Sequence, residues 1–394
     1  MAEVVIVSAV RTPIGAFGGS LSSLRADELG TVVIKEALRR AEIEPDKIPG
    51  VCEVVMGQVL AAGQGQNPAR QAALRAGLPY TVPATTVNMM CGSGIRAVVD
   101  GYLSIRNGDA QLAVCGGQES MSQTPHVVNM RKGLKVGDTS LRDTILCDGL
   151  TDAFYDIHMG ETVERIADKE GITREQQDEL ALESQRRVAK AQQGGYFDKE
   201  MVPVPIESSN EKKLVSIDEH PRNDLKIEDL QKLKPAFRKG GTVTVGNATG
   251  INDGAAALVL MTKELASKRG LKPLAKIVGW SQGGLDPQYM GMGPVPAITS
   301  LMEKVQWKIS DVDLFEINEA YACQAIAVMK QLGLSPTKVN VNGGGVALGH
   351  PLGSSGARII ATLIYALQRT GGKRGVAAIC IGGGMGIAIC IEIC

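Results

Sequence analysis

Apolar positions along this chain follow two alternating rhythms, and their order sketches a fold. Val4 to Val10, VVIVSAV, is a continuous β-branched run, as expected for a strand covered on both faces. After a glycine-containing loop, ADELGTVVIKEALRRAEI carries apolar residues at helical spacing, with its charges on the other side. The alternation continues: VCEVVMGQV reads as a strand, NPARQAALRAGL as a helix and ATTVNMM as a strand. CGSGIRAVVDGYLSIRNG follows as a glycine-led helix, and AQLAVCGGQES as a strand. Strand and helix in turn predict an α/β fold with a parallel sheet and right-handed crossovers.

The second half repeats the first. LAKIVGW, DVDLFEINEA and KVNVNGG read as strands; PVPAITSLMEKV and ACQAIAVMKQLGL read as helices. HPLGSSGARIIATLIYALQR is again glycine-led, and GVAAICIGGGMGIAICIEI gives two strands. IPGVCEVVMGQ aligns with ISDVDLFEINE, and AVCGG with AICIGGG, which argues for an internal duplication. The predicted halves are residues 1–119 with 250–270, and residues 271–394. Residues 120–249 have a different texture, with most of the charge clusters and one plainly amphipathic helix, TREQQDELALESQRRVAKAQQ. They read as an insertion laid over the first half, long enough to cover a ligand.

Composition narrows the function. In 394 residues, 42 basic side chains balance 42 acidic ones, so no global field draws the chain to nucleic acid or to an anionic membrane. No run approaches the ~20 apolar residues of a membrane span. The eight cysteines form no CxxC pair and are scattered, which argues against a metal site and a disulfide framework and for a reducing compartment. The N-terminus runs straight into a strand and the C-terminus carries no peroxisomal tripeptide, so the expected location is the cytoplasm.

The candidate chemistry lies where strands end. Cys91 opens a glycine-led helix, where the dipole and free N–H groups are expected to lower its pKa. His350 occupies the equivalent turn of the other half, and Cys380 and Asn318 sit at further strand ends. In a pseudo-symmetric α/β fold such loops meet, so two thiols, an imidazole and an amide should converge. Singly, each has a plainer reading. Cys380 sits in a run like that around Cys115, which reads as core; Asn318 suits a helix cap, and His158 a surface loop. No GxGxxG opens the first helix, which excludes a nicotinamide dehydrogenase.

Taken together, VVIVSAVRTPIGAFGG, NMMCGSG, VCGGQESMS, GINDGAAA, FEINEAY, VNGGGVALGHPLGSSG and CIGGGMGIA resemble the thiolase family, in particular its biosynthetic type. The resemblance implies a thiolase-like fold of two duplicated α/β/α halves with mixed, mostly parallel sheets and an inserted loop domain. It implies reversible Claisen condensation of two acetyl-CoA to acetoacetyl-CoA and CoA, and a place in lipid metabolism. Cys91 would carry the acyl group, His350 would activate it, and Cys380 would exchange the proton at carbon 2. Asn318 would hold a water at the enolate oxygen, and the N–H groups of Cys91 and Gly382 would form the other oxyanion hole. The insertion would supply a coenzyme A groove from Leu150, His158, Met159, Arg222, Leu233, Phe237, Gly246, Ala248, Thr249 and Met290, with Ala320 and Tyr321 at its inner end. Arg222 suits a nucleotide phosphate. The thioesters are substrates, with no cofactor and no metal, and the assembly would be a homotetramer tied through Pro125 to Leu141. NATG in place of NASG and NEAY in place of NEAF remove no reacting group and bear only on chain length. A broader degradative 3-ketoacyl-CoA thiolase is the neighbouring alternative. A non-catalytic acyl-CoA or lipid-binding protein would have no use for all four reacting groups.

Overall fold

The β-branched run at the start of the chain becomes strand β1, Val4–Arg11, buried along its whole length. In the computed structural model, which describes residues 2–48, 50–207 and 212–394, β1 joins two half-sheets into one sheet of ten strands. The first half adds β2 (Cys52–Gly57), β3 (Ala84–Val87), β4 (Leu112–Ser120) and β5 (Asn252–Thr262). The second adds β6 (Ala275–Gly284), β7 (Leu314–Ile317), β8 (Arg374–Ile381) and β9 (Met385–Ile393). Across the sheet the order is β7-β8-β9-β6-β1-β5-β4-β2-β3, and the short Gly15–Ala16 segment pairs with β5. In the first half β1 to β4 run one way and β5 against them; in the second, β6 to β8 run together and β9 against them. The sheet is therefore mixed, with most strands of each half sharing a direction.

Helices α1 (Ala26–Arg40) and α2 (Pro68–Arg75) cover one outer face, while α3 (Ser93–Asn107) lies inside the molecule. Between β4 and β5 come α4 (Met159–Glu170) and α5 (Arg174–Gln193). In the second half α6 (Pro294–Val305) and α7 (Ala322–Leu332) cover the other outer face, and α8 (Leu352–Thr370) packs beside α3 in the shared central core. α8 is buried on nearly every side, which explains its all-round apolar sequence. The two central helices meet backbone to backbone. A Cβ on Gly94 would lie 2.6 Å from the Ala357 nitrogen, and one on Gly356 2.5 Å from that of Ile95, so only glycine fits.

A bulge between Ile6 and Ser8 in β1 is matched by one between Ile277 and Gly279 in β6, which aligns the halves residue by residue. Followed through the ladders, this register sets Ala255 on Gly386, Cys115 on Ala377, Gln118 on Cys380 and Glu119 on Ile381. The alignment of AVCGG with AICIGGG is thus corrected: those two cysteines are not counterparts, and Cys115 is a fully buried core residue. KVNVNGG does not form the expected strand either. Only one bridge, Phe315 to Val339, is made, because Asn340 turns left-handed at φ 48°. Its side chain bonds both the N–H and the carbonyl of Ile317 and so replaces the backbone partner.

The insertion is anchored by charge. Arg11, wholly buried at the end of β1, pairs with Glu200 and with Asp218, the latter at 2.6 Å. α5 is the expected amphipathic helix, opened by a Thr173–Gln176 capping box. α4 was not legible as a helix; His158 caps it, its Nδ1 accepting from the Gly160 N–H at 3.0 Å. Among the described residues no helix is long and apolar enough to cross a membrane.

Candidate active site

The turn between β3 and α3 is built to present a thiol. The Ser93 hydroxyl accepts from the Met89 N–H at 2.8 Å and donates to the Met90 carbonyl at 2.6 Å. Met90 is held left-handed at φ 47°, an uncommon conformation for a residue with a side chain. Cys91, next in the chain, is half-buried. The expected low pKa is not found. Burial pushes the thiol up to about 11, outweighing the downward pull of the Gly382 N–H and of its own N–H. An uncharged thiol in this setting needs a base.

His350 holds a ring nitrogen free to act as one. Its backbone N–H donates to Asn252 Oδ1 at 3.0 Å, and the preceding Gly349 sits at φ 102°, where a Cβ would strike the same asparagine. The ring Nδ1 lies 2.6 Å from the Ser355 hydroxyl, itself 2.9 Å from the Pro351 carbonyl. A carbonyl only accepts, so the hydroxyl proton goes there and the hydroxyl accepts from Nδ1–H. Nε2 therefore keeps its lone pair, and it is buried without a hydrogen-bond partner. Burial first, and the Arg358 charge second, push the imidazole down to about 3, so the ring is neutral.

Asn318 follows β7, its N–H donating to the Ala378 carbonyl at 3.0 Å. It caps no helix, since α7 begins at Ala322. Both polar atoms of its amide are buried and unpartnered, which marks a place for a water or ligand atom. Cys380, only 1% exposed, shares an apolar cluster with Met159, Ala248, Met290, Ala320 and Tyr321. Burial, and then the neighbouring Cys91, push its thiol far above the ordinary range. The Tyr321 hydroxyl is pushed up first by burial and then by the charges of Cys380 and Cys91.

Several of the residues expected to line the groove pack together next to Cys380. His158 stacks on Phe237 with ring centroids 4.8 Å apart, and Phe237 meets Tyr321 edge-on at 6.0 Å. The Thr249 N–H donates to the Ala320 carbonyl, and its hydroxyl to the Gly345 carbonyl. Leu150 packs with Met90, Cys91 and Leu352. Leu233 closes against Gly246, where a Cβ would lie 2.5 Å away. Arg222 is exposed, its N–H bonded to Gln185. Sequence reasoning missed Ser355 and Asn252, which orient His350. The one available signal was the second serine of GSSG, a polar residue on an otherwise buried helix.

Two family models divide the chain between them: the thiolase N-terminal domain matches residues 4–264 and the thiolase C-terminal domain residues 271–393. The chain belongs to the thiolase family. This thiolase is 54% identical over 391 residues to the protein of Rattus norvegicus named acetyl-CoA acetyltransferase, cytosolic, covering 99% of this chain and 98% of the relative. It is 52% identical to the acetyl-CoA acetyltransferase of Cupriavidus necator, over 100% of both chains. The crystal structure of the Bacillus anthracis acetyl-CoA acetyltransferase matches the thiolase with a TM-score of 0.97 at 47% identity, over 100% of this chain and 99% of that one.

Proposed function

We propose that this thiolase is an acetyl-CoA acetyltransferase, joining two acetyl-CoA into acetoacetyl-CoA and CoA, and running the reverse thiolysis, through an acetyl group on Cys91. The observation that carries the reading is a set of buried polar atoms with no partner among the described residues, His350 Nε2 and both ends of the Asn318 amide, in a protein whose Cys91 and Cys380 are neighbouring thiols. His350 Nε2 takes the Cys91 proton as the sulfur attacks the thioester carbonyl, and the N–H groups of Cys91 and Gly382 receive the oxyanion. The carbon–sulfur bond to CoA breaks, and His350 returns the proton to the leaving thiolate. In the second half-reaction Cys380 takes a proton from carbon 2 of a new acetyl-CoA while its own proton passes to His350. The enolate oxygen is held by protonated His350 and a water on Asn318. Carbon 2 then bonds the acetyl carbon, Cys91 leaves, and His350 reprotonates it.

Met159, Met290 and Tyr321, all buried, close the inner end of the site, which favours the shortest acyl chain. In this reading Arg222 meets the nucleotide end of CoA. Acetoacetyl-CoA should be the best thiolysis substrate in steady-state rates across a ladder of 3-ketoacyl-CoA lengths. Equal turnover of a ten-carbon substrate would favour the broad degradative alternative.

The assembly we infer is a tetramer of paired dimers. Val127, Val128, Met130, Leu134, Val136 and Leu141 are exposed apolar residues in one stretch of the insertion, with Val136 at 97%. Such a stretch calls for a covering partner. β3 lies at the open edge of the sheet and suits the closer dimer contact. Light scattering should give four times the chain mass; a monomer at working concentration would overturn the assignment. The described cysteines are all free thiols, which fits the cytosol.

A further inference from the structure

We propose that Glu119 is a positioning residue of this active site, a buried carboxylate that clamps the turn carrying His350 onto the loop after β2 and so sets the base against the nucleophile. The proposal rests on the thiolase reading only for the roles given to His350 and Cys91; the clamp itself is geometric. Glu119 is fully buried near the end of β4. One carboxylate oxygen accepts from the Val59 N–H at 2.9 Å and from the Gly353 N–H at 2.8 Å, and the other from the Leu60 N–H at 3.1 Å. Val59 and Leu60 belong to the first half and Gly353 to the second, three residues beyond His350.

The internal duplication shows that the fold itself does not demand a carboxylate here. By the register of the two halves Glu119 corresponds to Ile381, and each faces the head of the opposite central helix. Ile381 meets Gly92 at the head of α3, where a Cβ would lie 2.4 Å from it, as an ordinary apolar contact. At the same position on the other side stands a buried charge, a costly choice unless its hydrogen bonds are needed.

All three partners donate, so the ionised form serves the clamp best; a proton on the oxygen that faces Leu60 would turn an O–H toward that N–H and weaken the other oxygen as an acceptor. Burial lifts Glu119 to about 7 against the pull of the three N–H groups. The titratable groups on the elements packed against it are Asp253 on β5, Cys91 at the head of α3, and His350 and Arg358 on the α8 side. Gln58 and Gln118 beside it are neutral. The clamp should therefore engage as pH rises through about 7.

The test is the rate at which iodoacetamide alkylates Cys91, followed by peptide mass spectrometry from pH 5.5 to 9 in the wild type, Glu119→Gln and Glu119→Asp. A thiol titrating far above this range gains tenfold per pH unit. The wild type should show an added inflection near pH 7. Glu119→Gln should lose the inflection and react on the order of 10²-fold more slowly at pH 8, the loss expected for a misplacement of about 1 Å. Glu119→Asp keeps the charge, so it should keep the inflection with a smaller loss. Wild-type rates and inflection in a Glu119→Gln protein that melts normally would overturn the proposal. So would a wild-type profile without an inflection, whether or not either variant folds. The expected alkylation pattern in a protein that makes no acetoacetyl-CoA would support the clamp and sink the condensation reading.

Discussion

Cys91→Ala is expected to abolish both thiolysis and condensation, with a loss of about 10⁴- to 10⁶-fold, the scale seen when a covalent nucleophile is removed. Cys91 is partly exposed at the head of α3, and the Gly382 N–H pulls its thiol downward. Cys115 has the wrong setting: it is sealed in the core beneath Gly101, where a Cβ would lie only 2.3 Å from its sulfur. In the wild type, incubation with acetyl-CoA should add one acetyl group, located by mass spectrometry on Cys91. Acetyl found mainly on Cys115 or Cys380 would overturn the assignment.

The second large effect separates the two thiols of the site. Cys380→Ser should still become acetylated at Cys91, because that step uses His350 and the oxyanion donors. It should lose condensation and carbon-2 proton exchange by about 10²–10⁴-fold, the range for removing a positioned acid–base group. A hydroxyl is a far weaker acid than a thiol and cannot relay that proton. The burial that already lifts Cys380 would lift a hydroxyl further. His350→Ala should fail in both partial reactions, since Nε2 is the unpartnered base for the first and faces the enolate in the second. Exchange surviving in Cys380→Ser while acetylation fails would show that the two cysteines have been given each other's roles.

Much of the architecture was legible because burial leaves a periodic trace. β1 and most of α8 are covered on all sides, and their strongly apolar sequences say so. What was not legible depends on contacts between distant residues. The strand expected at KVNVNGG gives way to the side chain of Asn340, and α4 needs the cap from His158. The pKa of Cys91 was read from its helix, whereas its value follows from the burial around it. The residues that orient His350 are likewise spread: Asn252 lies 98 positions away in sequence, and Glu119 acts through Gly353 at a separation of 234. Local motifs point to Cys91, His350 and Cys380 because each stands at a glycine-flanked strand end or turn, and to Asn318 because it directly follows a buried strand. Their supporting partners leave no such mark.

The contact between Gly94 and Gly356 has a mechanical consequence. The half-sheets themselves share only two paired positions, Val5 with Lys276 and Ile6 with Ala275, a joint too narrow to prevent shear. Where the two central helices touch through backbone at Gly94 and Gly356, little side chain remains to flex or change rotamer. The two halves thus share a rigid axle whose ends are the reacting groups. Breathing of the outer layers can proceed around it while the spacing at the centre is kept.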